Sequence, residues 1–319
     1  MIVTLTANPS TDRTVRLAGP LQRGAVQRAE SVFSQAGGKG VNISRAAVTA
    51  GVPTTAVLPA PSTDPFVLEL NAAGIPCDPV PAAGPPRVNL TISEPDGTTT
   101  KLNSPGPTAT PEILRALALR LKRHAAAAEW VVLAGSLPPG APVNWYADLV
   151  AALADSPARI AVDTSDAPLG ALVDALSTAQ PHLMKPNGHE LASITGAAAE
   201  ELEADPRAAA AAARKLVDAG VESVLATLGA LGAVLVTRSG AWHAAPPPID
   251  VVSTVGAGDS SLFGYLLGDV RSLDPASRLA LAVAYGSAAA GLPGTTIPIP
   301  SQVHPELVRV RELHPTQGM

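Results

Sequence analysis

Cysteine is almost absent from this chain, with one, Cys77, among 319 residues. A single cysteine excludes an intramolecular disulfide and a zinc site built from cysteines. The six histidines are scattered without the spacing of metal ligands. Aromatic residues contribute only 3% of the sequence and charged residues 15%. Neither a disulfide framework nor a histidine metal site is therefore predicted.

Long apolar runs and an excess of basic charge are also missing. The longest uncharged apolar stretch, residues 279–292, contains glycine and serine and is too short to span a bilayer, so it predicts a buried helix. The N-terminus lacks the basic region and apolar run of a signal peptide. A net charge of −5 argues against a general nucleic-acid binder. The sequence predicts a soluble, cytoplasmic protein without nucleic-acid or membrane partners.

What the chain does contain is an alternation of short β-branched runs with alanine- and leucine-rich helical patterns. The predicted strands are residues 2–5, 54–58, 130–133, 160–163, 223–227 and 233–237. The predicted helices are residues 40–50, 65–73, 111–128, 144–154, 206–219, 259–267 and 275–290. This order predicts an α/β fold, with a mostly parallel sheet flanked by helices on both faces. Because no linker divides the chain, residues 1–319 are expected to form one domain.

Two stretches interrupt the alternation and read as antiparallel strand pairs. They are residues 14–33 and residues 87–102, the second with a turn at Pro95-Asp96-Gly97. Together they predict a small second sheet beside the main one.

Polar and glycine-rich segments follow three predicted strands directly. They are residues 135–140, 163–165 and 185–187. Because the carboxyl ends of parallel strands share one edge of the sheet, these segments are expected to converge on one ligand site.

The segment Gly256-Ala257-Gly258-Asp259 lies between a strand-like run, residues 249–255, and a helical pattern. Backbone N–H groups at such a helix start bind anions. The alternative is a tight turn with Asp259 as an ordinary helix cap. A P-loop is absent, and the dinucleotide-binding glycine pattern is broken at Ser261.

A second glycine-rich segment, Gly37-Gly38-Lys39-Gly40, precedes a helix that carries Asn42. It suits an anionic or polyhydroxylated ligand, although a flexible loop with a solvated lysine fits as well. Arg28 and Arg87 could join Lys39 around a phosphate, since guanidinium groups pair with phosphate in a fixed geometry. Alternatively, each of the three is surface charge.

Two further segments admit both a structural and a functional interpretation. Asn187 and Glu190 could form a helix-capping pair, or Glu190 could contribute to Mg2+ binding through water. The segment from Thr227 to Gly232 joins two predicted strands and on its own predicts a hairpin turn.

The ordered set of motifs is more specific than any one of them. The set comprises Asn8-Pro-Ser-Thr-Asp12, Gly37-Gly-Lys-Gly-Val-Asn42, Arg87-Val-Asn-Leu-Thr-Ile92, Gly135-Ser-Leu-Pro-Pro-Gly140, Lys185-Pro-Asn-x-x-Glu190, Thr227-Leu-Gly-x-x-Gly232 and Val255-Gly-Ala-Gly-Asp-Ser260. The sequence resembles the PfkB sugar-kinase family, with a ribokinase-like fold, over essentially its whole length. Within that family it is most similar to the branch of 1-phosphofructokinases and tagatose-6-phosphate kinases.

The resemblance implies ATP-dependent phosphorylation of a hydroxymethyl group on a sugar phosphate, with Mg2+. It assigns catalysis to Asp259 as base and to Gly256, Ala257 and Gly258 as anion hole. It assigns substrate binding to Asp12, Arg28, Gly38, Lys39, Asn42 and Arg87. It assigns nucleotide binding to Lys185, Asn187, Thr227, Gly229 and Gly232, and the metal to Glu190. The two strand pairs, about residues 12–36 and 86–104, would form a lid that also joins two copies in a homodimer.

The resemblance favours fructose 1-phosphate as substrate, giving fructose 1,6-bisphosphate, with tagatose 6-phosphate and fructose 6-phosphate as alternatives. Two positions depart from the family pattern. Ser104 stands where the fructose-1-phosphate branch often has glutamate, and residues 60–65 lack the usual glycines. A catalytically silent sugar-phosphate sensor is the alternative from another class; it would be expected to lack the base or the anion hole.

Overall fold

The computed structural model of the protein describes residues 1–82 and 84–313. Its strands are β1 (Ile2–Thr6), β2 (Ser10–Leu17), β3 (Ala29–Gly37), β4 (Thr54–Pro59), β5 (Cys77–Val80), β6 (Arg87–Ser93), β7 (Thr99–Asn103), β8 (Trp130–Ala134), β9 (Arg159–Asp163), β10 (Leu183–Met184), β11 (Ser223–Thr227), β12 (Ala233–Thr237), β13 (Gly240–Ala245) and β14 (Arg309–Glu312). Its α-helices are α1 (Lys39–Thr49), α2 (Pro65–Ala72), α3 (Pro111–Ala125), α4 (Trp145–Ala152), α5 (Asp166–Asp174), α6 (Gly188–Thr195), α7 (Ala199–Ala204), α8 (Pro206–Asp218), α9 (Ala257–Val270) and α10 (Pro275–Ala290).

Ten strands form the main sheet, in the order β14-β13-β12-β11-β10-β9-β8-β1-β4-β5. The seven strands from β11 to β5 pair in parallel, and β12, β13 and β14 continue the sheet antiparallel. The strand order changes direction between β8 and β1, so the crevice at their carboxyl ends is the expected place for a ligand. The α/β fold and the mostly parallel sheet predicted from the sequence are confirmed.

Helices cover both faces of this sheet. One core joins the sheet to α3, α4, α5, α6, α7 and α8, and a second joins the opposite face to α1, α9 and α10. Trp130 lies wholly inside the second core, where full burial of an apolar side chain stabilises the fold by about 1.5–3 kcal/mol. Helix α9 is buried along most of its length, which fixes the position of its N-terminus.

Four strands form a second, smaller sheet in the order β3-β2-β6-β7, which we call the lid. The predicted antiparallel pairs are confirmed: β2 pairs with β3, and β6 with β7. The two pairs join through a parallel contact between β2 and β6. Since side chains alternate between the faces of a sheet, the register places one polar set on the same face. That set is Ser10, Asp12, Gln35, Arg87, Asn89 and Asn103.

One local prediction is wrong, because residues 249–255 form no strand. Three prolines precede this run and have no N–H to donate to a sheet. Its own Val252 and Ser253 N–H groups instead donate to the Ala290 carbonyl at the end of α10, at 2.9 and 3.1 Å. The β-branched side chains therefore line a loop beside the cavity described below.

The prediction of a single domain from residue 1 to 319 extends over Ala83 and residues 314–319, which lie outside the described residues. Within the described residues, none of the helices combines the length and the apolar character that crossing a bilayer requires.

Candidate active site

A cavity of about 1170 Å³ lies at the carboxyl ends of the parallel strands, beneath the polar face of the lid. It collects residues that are far apart in the sequence. Fifteen of the sixteen predicted site residues line it: Asp12, Gly38, Lys39, Asn42, Arg87, Lys185, Asn187, Glu190, Thr227, Gly229, Gly232, Gly256, Ala257, Gly258 and Asp259. The predicted convergence at one sheet edge is thus observed.

The N-terminus of α9 opens into this cavity. Gly256 precedes the helix with φ of +80°, a left-handed conformation that glycine adopts without strain. The Ser260 N–H makes the first helical bond, to the Gly256 carbonyl at 2.9 Å. The N–H groups of Gly258 and Asp259 therefore have no partner within the helix, as at any helix start. Ala257 was predicted to contribute to the anion hole, but its N–H donates to the Thr254 carbonyl at 3.3 Å.

The Asp259 carboxylate does not cap the helix, so the alternative of an ordinary capped turn is wrong. Asp259 lies in the first turn of α9, and its Oδ2 accepts a hydrogen bond from Asn42 Nδ2 at 2.8 Å. The side chain is buried, and this desolvation raises the pKa of Asp259 to about 6, although Lys39, Asn42 and Lys185 act in the opposite direction. A carboxylate with that pKa is ionised at neutral pH and can still accept a proton.

Asp12 faces the cavity from the lid and is held by two neighbours. Ser10 Oγ and Asn89 Nδ2 donate to Asp12 Oδ1 at 2.8 and 3.1 Å. Burial raises the pKa of Asp12 above its usual value. Gly37 on β3 leaves room for this side chain, because a Cβ there would overlap Asp12 Oδ2 and force it to move. Asp12 therefore presents a fixed acceptor to a polar ligand.

Arg87 extends from the start of β6 into the same cavity. Its Nη1 donates to the Ser104 carbonyl at 3.0 Å and its Nη2 to Ser136 Oγ at 3.3 Å. Ser104 thus contributes its backbone at a position where the family branch often has glutamate. These contacts aim the guanidinium, whose fork suits a phosphate.

The remaining predicted cations have different surroundings. Lys39 Nζ lies 2.6 Å from Asp163 Oδ1. Burial alone would lower the pKa of Lys39, but the charges of Asp163 and Asp259 outweigh it and hold the pKa above its usual value. Arg28, on the connection between β2 and β3, is exposed and does not line the cavity of its own chain. Of the three cations predicted to converge, only Lys39 and Arg87 line the cavity of one chain.

The far end of the cavity carries the segments predicted to bind a nucleotide. Asn187 caps α6, and the capping box with Glu190 is confirmed, since Asn187 Oδ1 accepts from the Glu190 N–H and Glu190 Oε2 accepts from the Asn187 N–H. Asn187 also bridges to Thr227, which brings the two motifs together. Gly232 turns with φ of +84°, and a Cβ there would overlap the Ala244 carbonyl.

The side chains that could bind a metal are few in this cavity. Among residues 1–82 and 84–313, no group of three or more His, Cys, Asp or Glu side chains is arranged to bind one. Glu190 nevertheless lines the cavity. A single carboxylate fits Mg2+, which keeps several waters and takes most other ligands from substrate phosphates.

Five further residues of the site were not assigned from the sequence. Ser10, Asn89, Asn103 and Ser136 line the cavity, and Asp163 lies just behind it. Ser136 and Asp163 lie at or just after the ends of predicted strands, and Ser10 and Asn89 lie within the motifs that carry the resemblance. Their common face with Asn103 follows only from the register of β2, β6 and β7.

Comparison with known proteins agrees with this geometry. The model of the pfkB family of carbohydrate kinases matches residues 5–302. The 1-phosphofructokinase of Xanthomonas campestris pv. campestris is 37% identical over 286 residues, 88% of each chain. The 1-phosphofructokinase of Haloferax volcanii is 36% identical over 321 residues, covering 98% of this chain and 99% of its own.

Among solved structures, phosphofructokinase-2 from Escherichia coli in complex with fructose-6-phosphate has a TM-score of 0.85 at 27% identity, covering 96% of this chain and 98% of its own. Its tetrameric inhibited form has a TM-score of 0.83 at 29% identity and covers 92% and 95%.

The fold and the cavity define a phosphotransferase that acts on an alcohol group. The chain belongs to the pfkB family of carbohydrate kinases, as the resemblance of its motifs predicted. Its activity is that of a sugar-phosphate kinase.

Proposed function

We propose that this protein transfers the γ-phosphoryl group of ATP to the 6-hydroxyl of fructose 1-phosphate, giving fructose 1,6-bisphosphate. The observation that carries the proposal is one cavity that contains both a buried base candidate at a helix N-terminus and a lid-borne arginine. The curated relatives at 36–37% identity bear the name 1-phosphofructokinase, which supports the choice of acceptor.

The acceptor's existing phosphate lies against Arg87, which Ser104 and Ser136 already aim into the cavity. The Asp12 carboxylate accepts hydrogen bonds from the sugar hydroxyls, and the Asn42 amide donates to them. Lys39 adds positive charge on the same side of the cavity. An unphosphorylated sugar would leave Arg87 without its anionic partner, so the site selects a sugar phosphate.

Transfer then proceeds with Asp259 as general base. Its carboxylate takes the proton of the attacking hydroxyl while that oxygen forms a bond to the γ-phosphorus. The bond from the γ-phosphorus to the bridging β–γ oxygen breaks, and ADP leaves with the bonding pair. The Gly258 and Asp259 N–H groups stabilise charge on the transferred group, an effect worth several kcal/mol in water-excluded sites.

The nucleotide binds at the far end of the cavity to Asn187, Thr227, Gly229 and Gly232. Lys185, which lies beside the N-terminus of α9, binds its phosphates. Glu190 would hold Mg2+ through water, and the ion supplies charge neutralisation of the triphosphate when bound. Apolar side chains of the loop after β13, among them Ile249 and Val251, line the same end and suit a purine base.

The test is ADP release, coupled to a dehydrogenase, with fructose 1-phosphate, tagatose 6-phosphate, fructose 6-phosphate and free fructose. We expect kcat/KM for fructose 1-phosphate to exceed that of each other sugar at least tenfold. A higher value for another phosphorylated ketohexose would replace the acceptor and keep the reaction. Absence of turnover with all four would favour the sugar-phosphate sensor, whose expected loss of base or anion hole is not seen here.

Two properties remain predictions from the sequence: a cytoplasmic location and a homodimer joined through the lid. The lid offers a concrete surface for the second. Its face opposite Asp12 carries the apolar side chains Val15, Val32, Leu90, Ile92 and Leu102, of which Val32 and Leu102 are more than half exposed. An apolar sheet face of this kind is suited to a second copy of the chain.

A further inference from the structure

Asp163, at the end of β9, is a buried carboxylate that the mechanism above does not use. Its side chain is 0% exposed, and it does not line the cavity. Removing a carboxylate from water is costly unless it is paired. The groups that pair with Asp163 therefore decide whether this buried anion can be kept.

Two lysines from different elements meet on Asp163. Lys39 Nζ, from the start of α1, lies 2.6 Å from Oδ1, and Lys185 Nζ, just after β10, lies 3.1 Å from Oδ2. Burial would raise the pKa of Asp163, but the Lys185 and Lys39 charges outweigh it and hold that pKa below its usual value. Asp163 is thus an anion that holds one ammonium group on each oxygen.

Both lysines lie where phosphoryl transfer is proposed to occur. Lys185 Nζ is 3.4 Å from the position that a Cβ on Gly258 would occupy, at the N-terminus of α9. Lys39 lies close enough to Asp259 for each charge to shift the other's pKa. Two long lysine side chains lose considerable rotamer entropy when they are fixed, and Asp163 fixes them before any substrate binds.

Asp259 is a second carboxylate that acts on both ammonium groups, and Glu190 also acts on Lys39. The charged groups around it are Lys39 from α1, Lys185 after β10 and Asp163 from β9, with the Asn42 amide as its hydrogen-bond donor. Without Asp163, the two ammonium groups would be free to pair with Asp259. An Asp259 tied to them would be a weaker base.

We propose that Asp163 is a positioning residue that holds Lys39 and Lys185 beside the N-terminus of α9 and keeps them from pairing with Asp259. The proposal rests on the kinase function given above. Asp163 acts only through the two lysines and does not touch the substrate.

The experiment compares Asp163→Asn with a matched control, Asp269→Asn. Asp269 is mostly buried, with its side chain 10% exposed, and it pairs with two cations, Arg159 and Arg278, at 2.6 and 2.5 Å, but it lies outside the cavity. We expect Asp163→Asn to lower kcat roughly 100-fold, with each KM changed less than about threefold. The acid limb of its kcat/KM profile should move to lower pH. Asp269→Asn should leave kcat and the profile within about twofold of the wild type.

A second comparison tests whether Asp163 acts through the lysines. In a Lys39→Met, Lys185→Met background, adding Asp163→Asn should cause no further loss of kcat. It should also increase stability to urea, because it removes an unpaired buried anion. The urea measurement needs no substrate, so it tests the pairing even if the kinase function fails. Equal kcat losses in Asp163→Asn and Asp269→Asn, or a full further loss in the double-methionine background, would overturn the proposal.

Discussion

At the scale of single residues, the proposed phosphoryl transfer depends on Asp259 acting as a base. The Asp259→Asn variant keeps the size and the Asn42 neighbour but cannot take a proton. We expect kcat to fall between about 100-fold and 10,000-fold with little change in either KM. Steady-state ADP release measures this. A loss of only about tenfold would mean that Asp259 positions the hydroxyl rather than deprotonating it.

The pH dependence follows from the same carboxylate. Burial raises the pKa of Asp259 to about 6, and the base must be ionised to work. Activity should therefore hold at neutral pH and fall about tenfold per pH unit below about 6. The acid limb of kcat/KM measures this in the free enzyme. If kcat/KM instead fell only near pH 4, the base would have an ordinary carboxylate pKa, which would contradict its identification with the buried Asp259.

Arg87 tests the binding of the acceptor's phosphate. Arg87→Ala should raise the KM for fructose 1-phosphate about 10- to 100-fold, because a charge-assisted pair is lost. The ATP KM should change less than about twofold. Arg115→Ala is the matched control, since Arg115 is exposed on α3 and pairs only with Glu112 within the described residues. An unchanged sugar KM in Arg87→Ala would remove Arg87 from the substrate site.

At the scale of elements, the N-terminus of α9 depends on the conformation of Gly256. The Cβ of Gly256→Ala would lie 3.7 Å from Thr295 Cα, so the added methyl group fits. The left-handed φ, however, would cost an alanine about 1–2 kcal/mol of folding free energy. We expect lower unfolding free energy and a kcat reduced at least tenfold. Gly51→Ala is the control, because Gly51 has φ of +71° with nothing within 4 Å and ends α1 away from the cavity. It should lose similar stability and keep kcat.

The elements were largely predictable, because their patterns are local. Residues 223–227, 233–237 and 275–290 coincide with β11, β12 and α10, where periodicity and flanking turn residues agree. The conformation of residues 249–255 was not predictable, because their β-branched composition competes with three preceding prolines and two hydrogen bonds to the end of α10. Asp163 was located at a strand end, but its lysine partners are fixed by tertiary packing.

At the scale of the whole molecule, the proposed homodimer depends on the apolar face of the lid. We expect light scattering to report a dimer for the wild type and a monomer for Val32→Lys, because a charge would be buried at the contact between two copies. Leu119→Lys is the control: Leu119 is highly exposed on α3, so its variant should remain dimeric. A monomeric wild type would contradict the proposed assembly and leave the cavity within one chain unchanged.

The arrangement of the lid over the sheet determines which cavity residues could not be predicted from the sequence. The motifs predicted fifteen cavity residues: several follow a strand of the main sheet or begin a helix, and the family resemblance supplied others, such as Asp12 and Arg87 on lid strands. Arg28 does not line the cavity of its own chain, and a charged residue on a connection between two strands gives no signal of the direction it faces. Ser10, Asn89 and Asn103 were missed because the β2–β6 pairing joins residues about 77 positions apart.

The most direct test of the central claim is phosphorus NMR of the reaction of ATP with fructose 1-phosphate. We expect a second sugar phosphomonoester signal, on C6, to grow in step with ADP while the C1 signal is retained. With Asp259→Asn, the C6 signal should grow at least 100 times more slowly. Growth of inorganic phosphate without a C6 signal, or an unchanged spectrum, would contradict the claim that this cavity transfers a phosphoryl group to a sugar phosphate.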